Sequence, residues 1–359
     1  MKNRVSFLTH SKIDVLFTKN SSDFVVNEIP LYEFSKDGEH LVLHVRKKDL
    51  TTWDMLQIFS EQTGAKVRDF GYAGLKDKDG MTTQYISVHK SYEKKIESFS
   101  HPKIKILDST YHKNKIKIGH LKGNRFFIRL KRVGKVEATK LQEALKTIAL
   151  EGYPNYFGYQ RFGIDGKNYE IGRDILEGKR RERNRKKRNF FISSYQSYLF
   201  NLWLSKRVEL SHNINNFSSN ELEKMLGYPK DFIKELKSQK QFFKILEGDV
   251  LHHYPFGRAF TCKELKDEVV RFINKEVTVT GWLFGGKSIR AEANAKEIED
   301  VVFSEAFEFL EKLDGSRRFA WNFMEDVEWN YKEDENWFEI HFSLIKGSYA
   351  TEVLEELLK

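Results

Sequence analysis

Strand-like segments lie at both ends of this 359-residue chain, in residues 1 to about 150 and again in the last 40, and amphipathic helical segments fill the stretch between. Period-2 alternation rich in β-branched residues marks Asp23–Glu28, His40–Val45 and Gln84–Val88 as strands, and Trp337–Phe342 repeats the pattern near the far end. A strand needs neighbours for its backbone N–H and C=O groups. The terminal strands therefore belong in one sheet with the early ones, and the middle of the chain reads as an insertion.

Other elements follow from the same reasoning. Thr52–Gln62 reads as a helix with Trp53, Leu56 and Phe59 on one face and Thr51 or Thr52 as N-cap. Lys115–Ile118 and Arg125–Leu130 read as a strand pair joined through a turn at Lys122-Gly-Asn124, and Val136–Leu150 as a helix. The middle, from about Gly152 to Arg318, is expected to be mostly helical, notably near Ser194–Leu210 and Ser219–Leu226, with Asn274–Thr280 as an interrupting strand. A closing helix capped by Ser348 places Val353, Leu354, Leu357 and Leu358 at helical spacing.

The net charge is +9, unevenly spread. From Ser288 to Lys359 there are 18 acidic and 8 basic residues, a balance of −10, so residues 1–287 carry +19. Such asymmetry suits a polyanion partner, and 14% aromatic residues to stack on bases favour a nucleic acid over an anionic membrane. The N-terminal segment shows no signal-peptide core, and no run approaches the ~20 apolar residues of a membrane span. A single cysteine, Cys262, excludes an internal disulfide and any multi-cysteine metal site. A reducing cytoplasm is the expected location.

The stretch Gly71-Tyr-Ala-Gly-Leu-Lys-Asp-Lys-Asp-Gly-Met-Thr-Thr-Gln84 sets one short carboxylate, Asp77, between Lys76 and Lys78 in a Gly-rich loop. Nearby positive charge favours the ionised form of a carboxylate, which can then serve as nucleophile or base, while flanking lysines attract phosphate. The plainer reading is a solvated turn, because Asp79-Gly80 is turn chemistry. The densest basic tract is Lys179-Arg-Arg-Glu-Arg-Asn-Arg-Lys-Lys-Arg188, with eight cations and one acid. Lys179, Arg180, Arg181, Arg183, Arg185, Lys186, Lys187 and Arg188 fit a phosphate-lined surface, and Phe190, Phe191 and Tyr195 follow as stacking or core rings. A solvated helix face is the alternative.

Gly281-Trp-Leu-Phe-Gly-Gly-Lys-Ser288 fits a phosphate-binding loop by its letters and follows the strand residues Val277–Val279. It lies late in the chain, no downstream strand offers a Mg²⁺-holding Asp, and acidic residues follow it. A turn closing a helical domain is the competing reading. His252 and His253, being adjacent, cannot share one face, so metal binding is not expected.

Several further segments, taken in order, carry a resemblance. They are Lys19-x-x-x-Asp23-Phe-x-Val-x-Glu28, Gly38-Glu-His40, Ala73-Gly-x-Lys-Asp-Lys78 with Thr82 and Gln84, and Gly123-Asn-x-Phe126. Pro154-Asn-Tyr-Phe-Gly-x-Gln-Arg-Phe-Gly163, Gln196-Ser-x-Leu-Phe-Asn201, Gly248-Asp249 and Gly347-Ser-Tyr-Ala-Thr351 continue the series. Together they resemble the TruD family of tRNA pseudouridine synthases over nearly the whole chain. The resemblance implies an α/β (α+β) fold: a pseudouridine-synthase domain with a mixed, largely antiparallel sheet, formed by residues 1–151 and 319–359, and an inserted, mostly helical TRUD domain at 152–318. It makes Asp77 the catalytic aspartate, with Lys19, Asn124, Phe126 and Gln84 in support and Phe126 stacking on the target base. Lys76, Lys78, Arg161 and the basic tract are its expected RNA contacts. The implied substrate is uridine 13 in the D-arm of tRNA, with no cofactor, metal, membrane or protein partner. Alternatives are an RNA-binding protein without catalysis and an NTPase using the Gly281–Ser288 loop. The chain departs from the family pattern at Gly80, where Ala is usual, at Thr51, where Asn is common, and at Asp79, where a basic or His residue is frequent.

Overall fold

The computed structural model describes residues 4–359; Met1, Lys2 and Asn3, the start of the segment read for a leader, lie outside the described residues. The chain folds into two compact units. One comprises residues 13–143 and 324–350, the other residues 1–12, 144–323 and 351–359.

The first unit is built on a mixed sheet, which holds nine strands among the described residues. In chain order they are β1 (Leu16–Phe17), β2 (Phe24–Pro30), β3 (His40–Lys48), β4 (Gly71–Tyr72), β5 (Met81–His89), β6 (Ile104–His112), β7 (Leu121–Lys131), β8 (Glu325–Lys332) and β9 (Trp337–Ile345). The main path runs β8-β9-β7-β2-β5-β3-β6, with β1 added to β7 and β4 to β5. Only the β2–β5 pair is parallel among these. Strands from the two ends of the sequence thus share one sheet, as their alternation requires. Leu41, Leu43, Val45, Ile86 and Val88 pack against Met55, Leu56 and Phe59 of the helix Thr52–Thr63. That helix is capped by Thr51, whose hydroxyl accepts from the Asp54 amide while the Asp54 carboxylate accepts from the Thr51 amide, a reciprocal capping box.

Two readings of this unit are corrected. The expected turn at Lys122–Asn124 lies inside β7, and Gly123 is there because β9 passes too close for a side chain: a Cβ would sit 2.1 Å from the Leu344 carbonyl oxygen. Lys115–Ile118 is not a strand. Its Ile116 closes a small apolar cluster with Val42, Ala73 and Leu121, and its amide donates to Ser87 Oγ instead of to a ladder. The strands β6 and β8, absent from the sequence reading, are the two edges of the main path. Edge strands bury little, so they lack the apolar alternation that marks central ones.

The second unit is largely helical. Its spine is the helix Arg185–Asn216, which buries Phe200, Trp203, Leu204 and Val208. It also contains a four-stranded sheet, of which the sequence suggests one strand. That strand, Val277–Leu283, includes Gly281 itself, and a Cβ there would lie 2.5 Å from the Trp203 ring. The phosphate-loop reading of Gly281–Ser288 therefore fails. Lys287 is paired with Asp314 at 2.6 Å, and the next helix begins only at Ala293, so no helix N-terminus meets the glycines. The Gly248-Asp249 pair is structural: buried Asp249 takes Arg207 in a two-pronged contact, at 2.5 and 2.8 Å. No described helix is long and apolar enough to cross a membrane.

Two carboxylates of the closing helix Ala350–Leu358 are buried in this second unit. Burial pushes Glu352 and Glu356 up to about 7, against the opposing pull of Arg4 on Glu352 and of the Leu8 amide, 2.6 Å away, on Glu356. A carboxyl whose pKa is higher folded than unfolded binds extra protons when folded. Its stabilising contribution is present in full below the unfolded value near 4.5 and is lost as pH rises through about 7. Urea unfolding should therefore show stability falling between pH 5 and pH 8, and Glu356→Gln should reduce that fall by raising the midpoint more at pH 8 than at pH 5.

Candidate active site

The site is assembled on one face of the first unit's sheet. Register places Glu28 opposite Asn124, Val26 opposite Phe126 and Thr82, and Gln84 opposite Val45, so Glu28, Asn124, Phe126, Thr82 and Gln84 face one way. The Asp77 loop enters β5 above that face, and contacts from several elements fix its backbone. The Lys76 amide donates to Thr52 Oγ1 at 2.8 Å, and the Thr52 amide donates back to the Lys76 carbonyl at 3.3 Å. Thr52 Oγ1 in turn donates to Gln84 Oε1 at 3.0 Å. The Lys76 ammonium, buried, meets Asn124 Oδ1 at 2.6 Å and Glu28 Oε2 at 3.1 Å. Burial pushes the Glu28 carboxyl up, with Lys76 and the Tyr85 amide pulling the other way.

On this fixed backbone the Asp77 side chain is left free toward solvent, 72% exposed. Among the described residues its one charged neighbour within ion-pair distance is Lys19, with Nζ 3.6 Å from Oδ2. Lys19 follows β1 in a tight turn held by Asn20, whose Oδ1 accepts from the Ser22 and Asp23 amides. The same Nζ lies 5.4 Å from the centre of the Phe24 ring. Phe24 stacks on Phe126 with ring centres 6.3 Å apart, and Phe126 stacks on Phe342 at 5.4 Å. A continuous line thus runs from Asp77 through Lys19 and Phe24 to Phe126, although Lys19, Asp77 and Phe126 stand far apart in sequence.

Two expectations change, those for Lys76 and Phe126. Lys76 is not presented to a phosphate: its charge is spent inside the unit on Glu28 and Asn124. Phe126 is only 6% exposed and packed by Phe24 and Phe342, so in this conformation it offers no open ring face to a base. Gln84 is fully buried and acts on the loop through Thr52. Gly80, where the family pattern has Ala, adopts φ +99° and passes 2.7 Å (to an ideal Cβ) from the Phe24 carbonyl oxygen, which accounts for glycine in this chain. Lys78 and Asp79 are exposed.

The sequence reading missed Thr52 and Lys47 and gave Glu28 no role. Lys47 had a visible signal: Leu41, Leu43 and Val45 alternate inward, and Lys47 falls on the next inward position. Its Nζ donates to the Asp77 carbonyl at 2.8 Å.

The basic tract belongs to the second unit. Residues 179–184 are irregular, and the helix begins at Arg185, nine residues before the expected start, with Asn184 as N-cap accepting from the Lys186 and Lys187 amides at 3.0 and 3.2 Å. All eight cations are exposed. Lys179 pairs with Glu177, while Arg180, Arg181, Arg183, Arg185, Lys186, Lys187 and Arg188 have no acidic partner among the described residues. Phe190 is partly exposed next to them, whereas Tyr195 is buried. Arg161 is engaged by its own unit, donating to Ser193 and Ser197 of the long helix at 2.8 and 3.2 Å. Among the described residues no group of three or more His, Cys, Asp or Glu side chains is arranged to hold a metal ion.

A family model described as tRNA pseudouridine synthase D (TruD) matches residues 4–186 and 231–357. The chain belongs to the TruD family. It is 53% identical to the tRNA pseudouridine synthase D of a Nitratiruptor species, across 99% of this chain and 98% of that one. The protein of the same name from Campylobacter jejuni (serotype O:6) is 54% identical, over 98% and 94% of the two chains. A crystal structure of a Methanosarcina mazei protein bearing the TruD name shares the fold, with a TM-score of 0.74 at 20% identity, covering 99% of this chain and 95% of that one.

The loop contacts make a test. Lys76→Met leaves Glu28 buried without its counter-charge and should destabilise the first unit by about 3 kcal/mol. Lys78→Met, at an exposed position, should stay within about 0.5 kcal/mol. Denaturant unfolding of the two variants compares them directly.

Proposed function

We propose that this protein is a tRNA pseudouridine synthase that isomerises uridine 13 of the tRNA D-arm, with Asp77 as the catalytic residue. The observation that carries the proposal is the exposed Asp77 carboxylate, faced by Lys19, on a loop whose backbone is fixed by buried contacts. Membership of the TruD family supports the reaction class. We further assign the reaction to the cytoplasm, catalysis to the unit of residues 13–143 and 324–350, and RNA docking to the unit that carries the basic tract.

The isomerisation breaks the N1–C1′ bond, turns the uracil over, and joins C5 to C1′; nothing is oxidised and no water is added. An ionised Asp77 can add to C1′ or to the ring, or it can stabilise cationic character at C1′ and then take the C5 proton. Lys19 sets a positive charge beside the carboxylate and orients it. The target base must leave its stack at a cost of a few kcal/mol. Because Phe126 and Phe24 are both enclosed, a base would meet the aromatic row after one of these rings shifts.

The seven unpaired cations between Arg180 and Arg188 suit the phosphates of the same RNA, positioning it without reading bases. Four of them occupy the first turn of a helix, where the backbone dipole is also positive, so an anion there is attracted by both.

Asp77→Asn should abolish pseudouridine formation on unmodified tRNA while leaving RNA affinity within about threefold; a variant that forms product at the wild-type rate would refute the assignment. Replacing Arg180, Arg181 and Arg183 by Ala should weaken tRNA binding and reduce the slope of log K against log salt by roughly 2 to 3. An unchanged slope would remove the tract from the interface.

A further inference from the structure

We infer that Lys47 is a positioning residue for the reaction: its buried ammonium holds the main chain at Asp77 at the height from which the carboxylate reaches substrate. The inference rests on Asp77 being the catalytic group.

Lys47 lies near the end of β3 and is 1% exposed. It occupies an inward position after Leu41, Leu43 and Val45, where an apolar side chain would continue the core without any desolvation cost. Its Nζ makes two contacts, both to backbone carbonyls: that of Leu50, and that of Asp77 at 2.8 Å. Leu50 lies immediately before the capping box of the helix Thr52–Thr63, and Asp77 lies 30 residues along the chain from Lys47. One ammonium therefore ties strand, helix start and catalytic loop together at the reacting residue itself. The contacts made by Thr52, Glu28 and Asn124 reach Lys76, one residue earlier. Without Lys47 the Asp77 carbonyl loses this donor, and the carboxylate height would be set from one side only.

The charged groups facing Lys47 are Asp77 and Lys76 on the loop and Asp54 on the helix. The positions paired with it on the two neighbouring strands are Thr82 and Ile104, neither of which titrates. Burial lowers the Lys47 pKa to about 8, with Asp77 opposing and Lys76 adding to the fall. A charged donor bonds carbonyls more strongly than a neutral amine. The clamp is therefore at full strength below pH 8 and weakens as pH rises through that value.

The test uses the full chain and an unmodified tRNA transcript, with single-turnover rate and RNA Kd measured separately. Lys47→Met keeps the length of the side chain and removes the donor. Its rate constant should fall by about 10- to 100-fold at a temperature where the variant is folded, with Kd within about twofold, as expected when a reacting group is displaced by a fraction of an ångström to an ångström. A folded Lys47→Met with the wild-type rate overturns the inference and leaves a purely structural lysine. The wild-type protein gives an arm that does not depend on any variant folding. Its single-turnover rate should fall between pH 7 and pH 9 at constant Kd, and a flat profile overturns the inference. Lys47→Arg, whose guanidinium stays charged, should move that fall to higher pH; an unmoved fall assigns the titration to another group and also overturns it. Asp77→Asn run beside these separates the two claims, since an active Asp77→Asn sinks the catalytic assignment whatever Lys47 does.

Discussion

The contact between buried Lys76 and buried Glu28 is what the Asp77 loop depends on. A loop that exposes a carboxylate between two lysines has little apolar surface of its own to hold it, so its order must come from polar contacts. Lys76, adjacent to Asp77 in sequence, turns inward and spends its charge on Glu28 of β2 and Asn124 of β7. Two sheet strands thereby fix a segment that belongs to neither. Breaking a buried pair by removing one partner is far costlier than the pair is worth as a net stabiliser. The arrangement is therefore better understood as specifying one loop geometry than as adding stability. Thr52 and Lys47 extend the same logic to the helix and to β3.

Consecutive residues of this loop thus have opposite destinations. Lys76 faces the protein, Asp77 faces the solvent, and Lys78 follows it outward. The sequence motif presents two lysines flanking an aspartate, and symmetry suggests one role for both. Nothing in the local sequence distinguishes them. The distinction comes from Glu28 and Asn124, 48 residues away on either side of Lys76, which supply a polar cavity of the right charge on one side only.

Much of the fold could be read from residues whose periodicity serves burial. β2, β3, β5 and β9 show it because they pack on at least one face, and the helix Thr52–Thr63 carries its own capping signal. β6 and β8 hid because edge strands are written in polar residues, and β8 reads Glu-Asp-Val-Glu-Trp-Asn-Tyr-Lys. Two glycine-rich stretches misled in the same way. Gly123 and Gly281 stand inside strands where another backbone or ring comes too close for a Cβ, whereas the local letters suggested a turn and a phosphate loop. At the site, Asp77, Lys19 and Asn124 were legible as a set through the family motif. The enclosure of Phe126 was not, since it depends on Phe342, over two hundred residues later.

The pairing of β7 with β9 has a consequence for how this protein is made. β7 ends at Lys131 and β9 begins at Trp337, so one edge of a central strand waits through the synthesis of some two hundred residues before its partner leaves the ribosome. During that interval the edge of β7 is an open template, the kind of surface that invites pairing with a wrong chain. Phe126 also lacks the ring that later packs on it. The nascent first unit is thus left as an unfinished sheet until nearly the last residues emerge. Ribosome stalling or truncation anywhere in the helical unit would release a chain with its central strand bare on one side.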